Sequence, residues 1–358
     1  CSRLMMSDGS SASPGRICLI RRSSIGDVCH SVCMVQAIQR HFPGCPITWV
    51  VGRAEAELVH GLPGVEFLIC DKSRGLAGIA RLREELKVRR FDVLLHMQIS
   101  LRASLVSLMV RSPRRIGFDR ARAGEGQWLF TNERIHRQEH AHVLDGFKAF
   151  AAKLGVPDYE PRWEIPISRE ERDWATAVLP DGRPVLGIVP AASRPERNWT
   201  AAGYAALASH ALARQFRVAL FGGSSPVETR LGEEIRSRLG QPVSNLIGRT
   251  TLKQLLALLG RTAVLVAPDT GPAHMAVTQG IPVIGLYCHS NPRRTGPYNS
   301  TDYVVNHYDR LFQERYGVPW TERPWGTRLT GEKLMESIRV EEVTGMFDRV
   351  VAEKRLAE

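Results

Sequence analysis

The chain has 358 residues, 43% of them hydrophobic and 24% charged, which suits about two folded domains and is too apolar for a disordered chain. Its 48 Lys and Arg against 37 Asp and Glu leave a formal charge of +11, spread evenly over the two halves, so an anionic partner is favoured and no basic tail stands out. The longest apolar runs, such as residues 263–267, fall far short of the ~18 residues a membrane-spanning helix needs, and neither collagen nor coiled-coil periodicity is present.

In chain order, residues 1–15 are rich in Ser and Gly and read as a loose extension without the apolar core of a secretory signal. Residues 16–21 predict a buried strand, and Val28, Val32, Val35, Ala37 and Ile38 a helical stripe that stops at Pro43-Gly44. Strands follow at 47–51, 66–70 and 91–96, with helices at 76–90, 101–110 and 140–154 and an extended stretch at 115–118. Five prolines between Pro157 and Pro184 mark a linker at 168–184, with one charged helix at 169–178. A second alternating series then begins. Strands are predicted at 185–189, 217–221, 245–247, 264–267 and 283–287, helices at 201–214, 227–239, 252–259 and 272–279, and a terminal helix at 331–358. Alternation of this kind gives an α/β chain of two doubly wound, parallel-sheet domains, 16–167 and 185–330, with a ligand cleft between them. The seven cysteines are odd in number and lack a C-x-x-C pair, which fits free apolar thiols in a reducing cytosol.

Five turns carry candidate chemistry. Ser23-Ser24-Ile25-Gly26-Asp27 follows the first strand, where an open parallel sheet places its ligands. Gly26 there permits close backbone approach, and Asp27 is either a first-turn helix cap or a carboxylate facing the cleft as a proton acceptor. Asp269-Thr270-Gly271-Pro272-Ala273-His274 again lies between a strand and a helix, where free N–H groups at a helix start suit a phosphate. It is neither a Walker loop nor a G-x-G-x-x-G fingerprint. Ser193 and Arg197 lie after the strand at 185–189, with donors suited to pyrophosphate. Gly222-Gly223 begins a fourth turn, and a fifth segment concentrates Arg111, Arg114, Arg115, Arg120 and Arg122, either an anion site or a solvated basic face.

Together these segments resemble the bacterial ADP-heptose:lipopolysaccharide heptosyltransferases, glycosyltransferase family nine. The likeness runs from about Arg16 to Tyr298, on Ser23–Val28 and Asp269–His274, supported by Arg197-Asn198-Trp199, Gly248–Leu252 and Arg294–Tyr298. Residues 115–119 and 126–130 look most like the heptosyltransferase I branch. The resemblance implies a GT-B fold and inverting transfer of heptose from ADP-heptose to the Kdo-lipid A inner core. Neither a metal nor a cofactor is then expected. It implies Asp27 as the base and Arg197 as a catalytic cation, standing where better-known members carry lysine. Donor binding falls to Ser193, Arg197, Glu228, Asp269, Thr270, Gly271, Pro272, Ala273 and His274, with Glu228 on the ribose. Ser24, Gly26, Arg115, Arg120 and Arg122 are expected to hold the acceptor. The enzyme is expected on the cytoplasmic face of the anionic inner membrane. No basic stripe interleaved with aromatics supports a nucleic-acid partner. A longer-core heptosyltransferase II or III, an inactive nucleotide-binding relative and a sugar-nucleotide epimerase are the rival readings.

Overall fold

The computed structural model describes residues 14–331 and 333–356, so residues 1–13 of the expected extension lie outside the described residues. The first half runs β1 (Ile17–Ile20), α1 (Ile25–His41), β2 (Ile47–Val51), α2 (Arg53–Val59), β3 (Val65–Ile69), α3 (Gly75–Lys87), β4 (Val93–His96), α4 (Leu101–Ser107), β5 (Arg114–Gly117), β6 (Glu133–Arg134) and α5 (Val143–Lys153). After α6 (Arg169–Val178), the second half runs β7 (Val185–Ile188), α7 (Ala201–Ala213), β8 (Arg217–Leu220), α8 (Pro226–Leu239), β9 (Ser244–Asn245), α9 (Leu252–Leu259) and β10 (Val264–Pro268). It ends with α10 (Gly271–Thr278), β11 (Val283–Tyr287), α11 (Pro292–Thr295), β12 (Val304–Asn306), α12 (Tyr308–Tyr316) and α13 (Val340–Lys354).

Each half forms a six-stranded parallel sheet. The orders are β3-β2-β1-β4-β5-β6 and β12-β11-β10-β7-β8-β9, the same winding twice. Helices cover both faces, which is why β1, β2, β4, β7, β10 and β11 are buried throughout and, apart from Thr48 and His96, carry no alternation of apolar and polar side chains. In each sheet the strand order reverses once, between β1 and β4 and between β7 and β10. The turns after β1 and β10 therefore open at the two switch points, outside the carboxyl ends of the strands, where such sheets bind ligands.

Most predicted elements form within a residue or two of their expected bounds. The differences are short or terminal. The seven-residue α2, the two- and three-residue edge strands β6 and β12, and α11 and α12 were not expected from the sequence; a two- or three-residue strand or a four-residue helix is shorter than any period it would show. The terminal helix begins at Val340 rather than 331; a turn at Leu334–Ser337 precedes it. Val343, Phe347 and Val350 of α13 pack into the core of the second domain.

The cleft is confined to one end of the domain boundary. Elsewhere the boundary is apolar: one cluster of buried side chains runs from Val32 and Val35 of α1 to Leu255 of α9 and Met275 of α10. Its rim is stitched by Trp325 Nε1 donating to the Ala141 carbonyl (2.9 Å) and the Tyr298 hydroxyl donating to Asp145 (2.7 Å). All six cysteines among the described residues are free and buried.

At the cleft floor the start of α1 abuts α10. A Cβ on Gly26 would stand 2.4 Å from Cδ2 of His274, and one on Gly271 would stand 3.1 Å from Ile25. Gly26 thus serves close approach, not positive φ, and what approaches is the other domain. Gly26→Ala forces the His274 ring out of its buried seat and is expected to cost about 1–3 kcal/mol. Gly271→Ala, with a contact 0.7 Å looser, should cost less; thermal melting of both variants checks the ranking, and an inverted order would contradict this packing.

Candidate active site

The two switch-point turns face one cavity of about 550 Å³, within the range of small-molecule sites. Its walls come from both domains. Ser24, Gly26, Asp27, His30, Gln98 and Arg122 are contributed by the first, and Arg197, Asp269, His274, Arg294, Thr295 and Arg328 by the second.

Asp27 is held firmly. It is the third residue of α1, and its Oδ2 accepts from the Ser24 backbone N–H (3.2 Å) and hydroxyl (3.0 Å) and pairs with Arg21. Arg21 in turn donates to the Met97 carbonyl (2.7 Å), and Gln98 bonds both the Arg22 N–H (2.7 Å) and the Ser23 hydroxyl (3.2 Å). The end of β4 thereby fixes the turn after β1. Every donor to the carboxylate reaches Oδ2, so Oδ1 is left without a hydrogen-bond donor among the described residues, and the side chain is 23% exposed. Burial works to raise the Asp27 pKa, but the Arg21 charge and the Ser24 bonds outweigh it and hold it below the ordinary aspartate value. The carboxylate is an ionised cap and an open proton acceptor at once.

Asp269 has the opposite accommodation. Its Oδ2 accepts from Ser290 (2.6 Å) and Thr295 (3.2 Å) and lies 3.5 Å from Arg197 Nη2, while Oδ1 lies 3.9 Å from His274 Nε2. Burial opposes its charge, yet these donors and the Arg197 cation hold its pKa far below the usual range. Arg197 also donates to the Asp269 carbonyl (2.8 Å). The side chains of Arg294 and Arg328 make no hydrogen bond or ion pair among the described residues, and burial lowers the pKa of both. Three guanidinium groups thus share one wall with a single, already committed carboxylate. Beside them His30 lies edge-on to His274 (4.7 Å between centroids) and to His142 (5.4 Å). Burial holds His30 well below its ordinary pKa and His142 at about 4, so both are neutral at pH 7.

With this geometry, comparison with known proteins is decisive. The profile of glycosyltransferase family 9 (heptosyltransferase) matches residues 79–316. The chain is 42% identical to the lipopolysaccharide core heptosyltransferase OpsX of Haemophilus influenzae, over 94% of this chain and 97% of that protein. This chain belongs to glycosyltransferase family 9. The lipopolysaccharide heptosyltransferase 1 of Pseudomonas aeruginosa is 25% identical over 79% of this chain and 81% of its own. The likeness to OpsX therefore exceeds the expected likeness to the heptosyltransferase I branch. In fold, the family 9 glycosyltransferase of Veillonella parvula aligns with a TM-score of 0.78 at 20% identity, covering 95% of this chain and 97% of its own. The ADP-heptose lipopolysaccharide heptosyltransferase II of Escherichia coli aligns at 0.71 and 21%, covering 95% and 99%. The architecture is GT-B.

On this family 9 scaffold the sequence-derived residues separate into two groups. Ser24, Gly26, Asp27, Arg122, Arg197, Asp269 and His274 line the cavity. Thr270, Gly271, Pro272 and Ala273 form the start of α10 behind it, and the Thr270 side chain makes no capping bond. The remainder lie elsewhere. Ser193 is exposed on the loop after β7, outside the cavity lining. Glu228 caps α8, accepting from the Gly223 N–H (2.7 Å) and the Ser225 hydroxyl (2.6 Å). Arg115 was expected at the acceptor, but its guanidinium is consumed by the carbonyls of Phe130 (2.9 Å), Val110 (3.0 Å) and Ser107 (2.8 Å). Arg120 is exposed outside the lining. Sequence reasoning missed Arg21, His30, Gln98 and Arg328. Arg21 and His30 sit six residues before and three after Asp27, one at the strand end and one on the next turn of α1, and that spacing was the available signal.

Because the folded pKa of Asp27 lies below its unfolded value, its charge stabilises the fold above the ordinary aspartate pKa, and that contribution fades as pH falls through the folded value. Arg21→Ala leaves burial as the ruling influence. The Asp27 carboxyl is then expected to titrate above the ordinary aspartate value instead of below it, as followed by carbon NMR of the carboxyl group. An unmoved titration would show that Arg21 does not govern Asp27.

Proposed function

We propose that this family 9 glycosyltransferase transfers heptose with inversion from ADP-heptose to the inner core of lipopolysaccharide, with Kdo-lipid A as acceptor, at the cytoplasmic face of the inner membrane. The observation that carries the reading is the juxtaposition across one cavity of an ionised carboxylate with a free oxygen, Asp27, and a cationic wall of Arg197, Arg294 and Arg328.

Inverting transfer needs those two features on opposite sides of the sugar. The acceptor hydroxyl attacks the anomeric carbon from the side of the first domain and gives its proton to Oδ1 of Asp27. The bond from that carbon to the ADP oxygen breaks on the side of the second domain. Attack passes through an oxocarbenium-like state, and the alcohol becomes strongly acidic as its new bond forms, so a carboxylate of depressed pKa can take the proton late. The same depressed pKa keeps the base ionised at neutral pH. Negative charge grows on the departing diphosphate. It meets guanidinium groups that are already placed, of which Arg294 and Arg328 make no ion pair among the described residues, together with the N–H groups at the start of α10. Asp269 fixes Arg197 through its carbonyl and carboxylate, a positioning role. Glu228 retains lone pairs beyond those used in its cap and is placed on the ribose.

Identity to OpsX supports a lipopolysaccharide core acceptor, and a longer inner core is the second reading because that likeness exceeds the one to heptosyltransferase 1. Incubation with ADP-heptose and either Kdo-lipid A or a heptosylated core, read by mass spectrometry of the lipid, separates the two. Asp27→Asn, which keeps the shape and removes the charge, is expected to lower turnover by ~10²–10⁴-fold while ADP binding persists. Full activity in that variant would eliminate Asp27 as the base. Arg294→Ala is expected to weaken ADP by roughly tenfold or more by calorimetry, the scale of a lost charge-assisted bond.

A further inference from the structure

The first domain exposes a group of large apolar side chains, one of which, Ile99, lines the cavity. Ile99, Leu101, Leu105, Leu108, Trp128 and Leu129 are between 37% and 67% exposed. Leu101, Leu105 and Leu108 recur at helical spacing along α4 and the turn that ends it, so they share one outward face. Trp128 and Leu129 belong to a neighbouring turn that is tied to both ends of that helix. Glu125 accepts from the Leu101 N–H (2.7 Å) at one end. At the other, Arg115 joins the carbonyls of Ser107 and Val110 to that of Phe130. Buried Gln127 pins the turn to the His96 carbonyl (2.9 Å). The apolar face is therefore one fixed surface, and Ile99 continues it into the cavity lining. Isolated exposed leucines need no explanation, but a contiguous group marks an interaction site.

Charge identifies the occupant. Residues 97–131 hold six arginines and only two acids. Both acids are turned to internal use, Asp119 on Arg122 and Glu125 on the Leu101 N–H. Arg102, Arg111 and Arg120 are exposed, and none of their side chains has a hydrogen-bond or ion-pair partner among the described residues. Apolar side chains that include a tryptophan, interleaved with unpaired guanidinium groups, match the boundary between acyl chains and anionic headgroups.

We propose that the outer face of α4 and the 127–130 turn, with Arg102, Arg111 and Arg120, is the surface on which this protein lies against an anionic phospholipid bilayer. A lipid-borne sugar rising from that bilayer at Ile99 enters the cavity beside Asp27. The placement rests on the reading of a membrane-held acceptor, but the contact itself is measured without any acceptor.

Co-sedimentation with phosphatidylethanolamine vesicles containing phosphatidylglycerol, against pure phosphatidylcholine vesicles, tests it. The full chain is expected to pellet with the anionic vesicles and to be released by salt. Leu105→Glu with Leu108→Glu should reduce binding about tenfold or more, and Arg102→Ser with Arg111→Ser should do the same. Both pairs are expected to keep wild-type turnover of a water-soluble, deacylated acceptor, which also reports that they fold. Vesicle binding unchanged in both variants, or absent in the parent, overturns the proposal. So does a change of molecular mass in the leucine variant with vesicle binding intact, which would make this face a contact between copies of the chain. If no acceptor is turned over while the vesicle pattern holds, the transferase reading falls and the bilayer surface stands.

Discussion

The molecule is organised around the contact between two helix starts. α1 and α10 each begin directly after a switch-point strand, and each carries a glycine where the other domain comes closest. Gly26 admits the His274 ring and Gly271 admits Ile25. A side chain at either place would part the domains at the cleft floor. The same approach sets the two functional turns against one cavity, so packing and site geometry are one constraint. Behind the floor the apolar boundary continues without interruption through α1, α9 and α10, which confines solvent and ligand to one end.

That arrangement also explains how two aspartates on the two switch-point turns acquire different chemistry. Both are charged despite burial, because each sits beside a guanidinium group. Asp269 spends its oxygens on Ser290, Thr295 and Arg197, with His274 close by, and becomes part of the scaffold. Asp27 directs all its bonds to one oxygen and keeps the other for the cavity. The positive charge of the second wall is likewise a matter of pairing rather than number. The Arg294 and Arg328 guanidinium groups make no ion pair among the described residues, and burial presses against the charge of both.

The arginine-rich segment shows how far identical residue types diverge once folded. Arg114 pairs with Glu133, and Arg115 is an internal brace. Arg122 reaches the cavity, and Arg111 and Arg120 face solvent. Periodicity does not distinguish them, because a short strand followed by an irregular loop has no period that assigns a face. Only Arg115 has its donors taken up by carbonyls of two separate segments, a fact of long-range geometry.

Sequence alone determined the architecture. Unbroken apolar strands alternating with helices leave no arrangement but sheets covered on both faces, and the turns after β1 and β10 were legible as ligand turns because strand ends in such sheets are where ligands bind. It also singled out Asp27, Arg197, Asp269 and His274, whose motifs are local. What only the tertiary structure decided is which groups are already satisfied. Arg115 carries the right functional group but spends it on backbone carbonyls, whereas Gln98 and Arg328 join the site from positions with no local signature. The reason is physical. A residue's type is covalent and visible in the chain, but its free valences depend on what the fold brings within hydrogen-bond reach, and those partners come from distant segments, as with Arg21 and Met97 or Arg197 and Asp269, 76 and 72 residues apart.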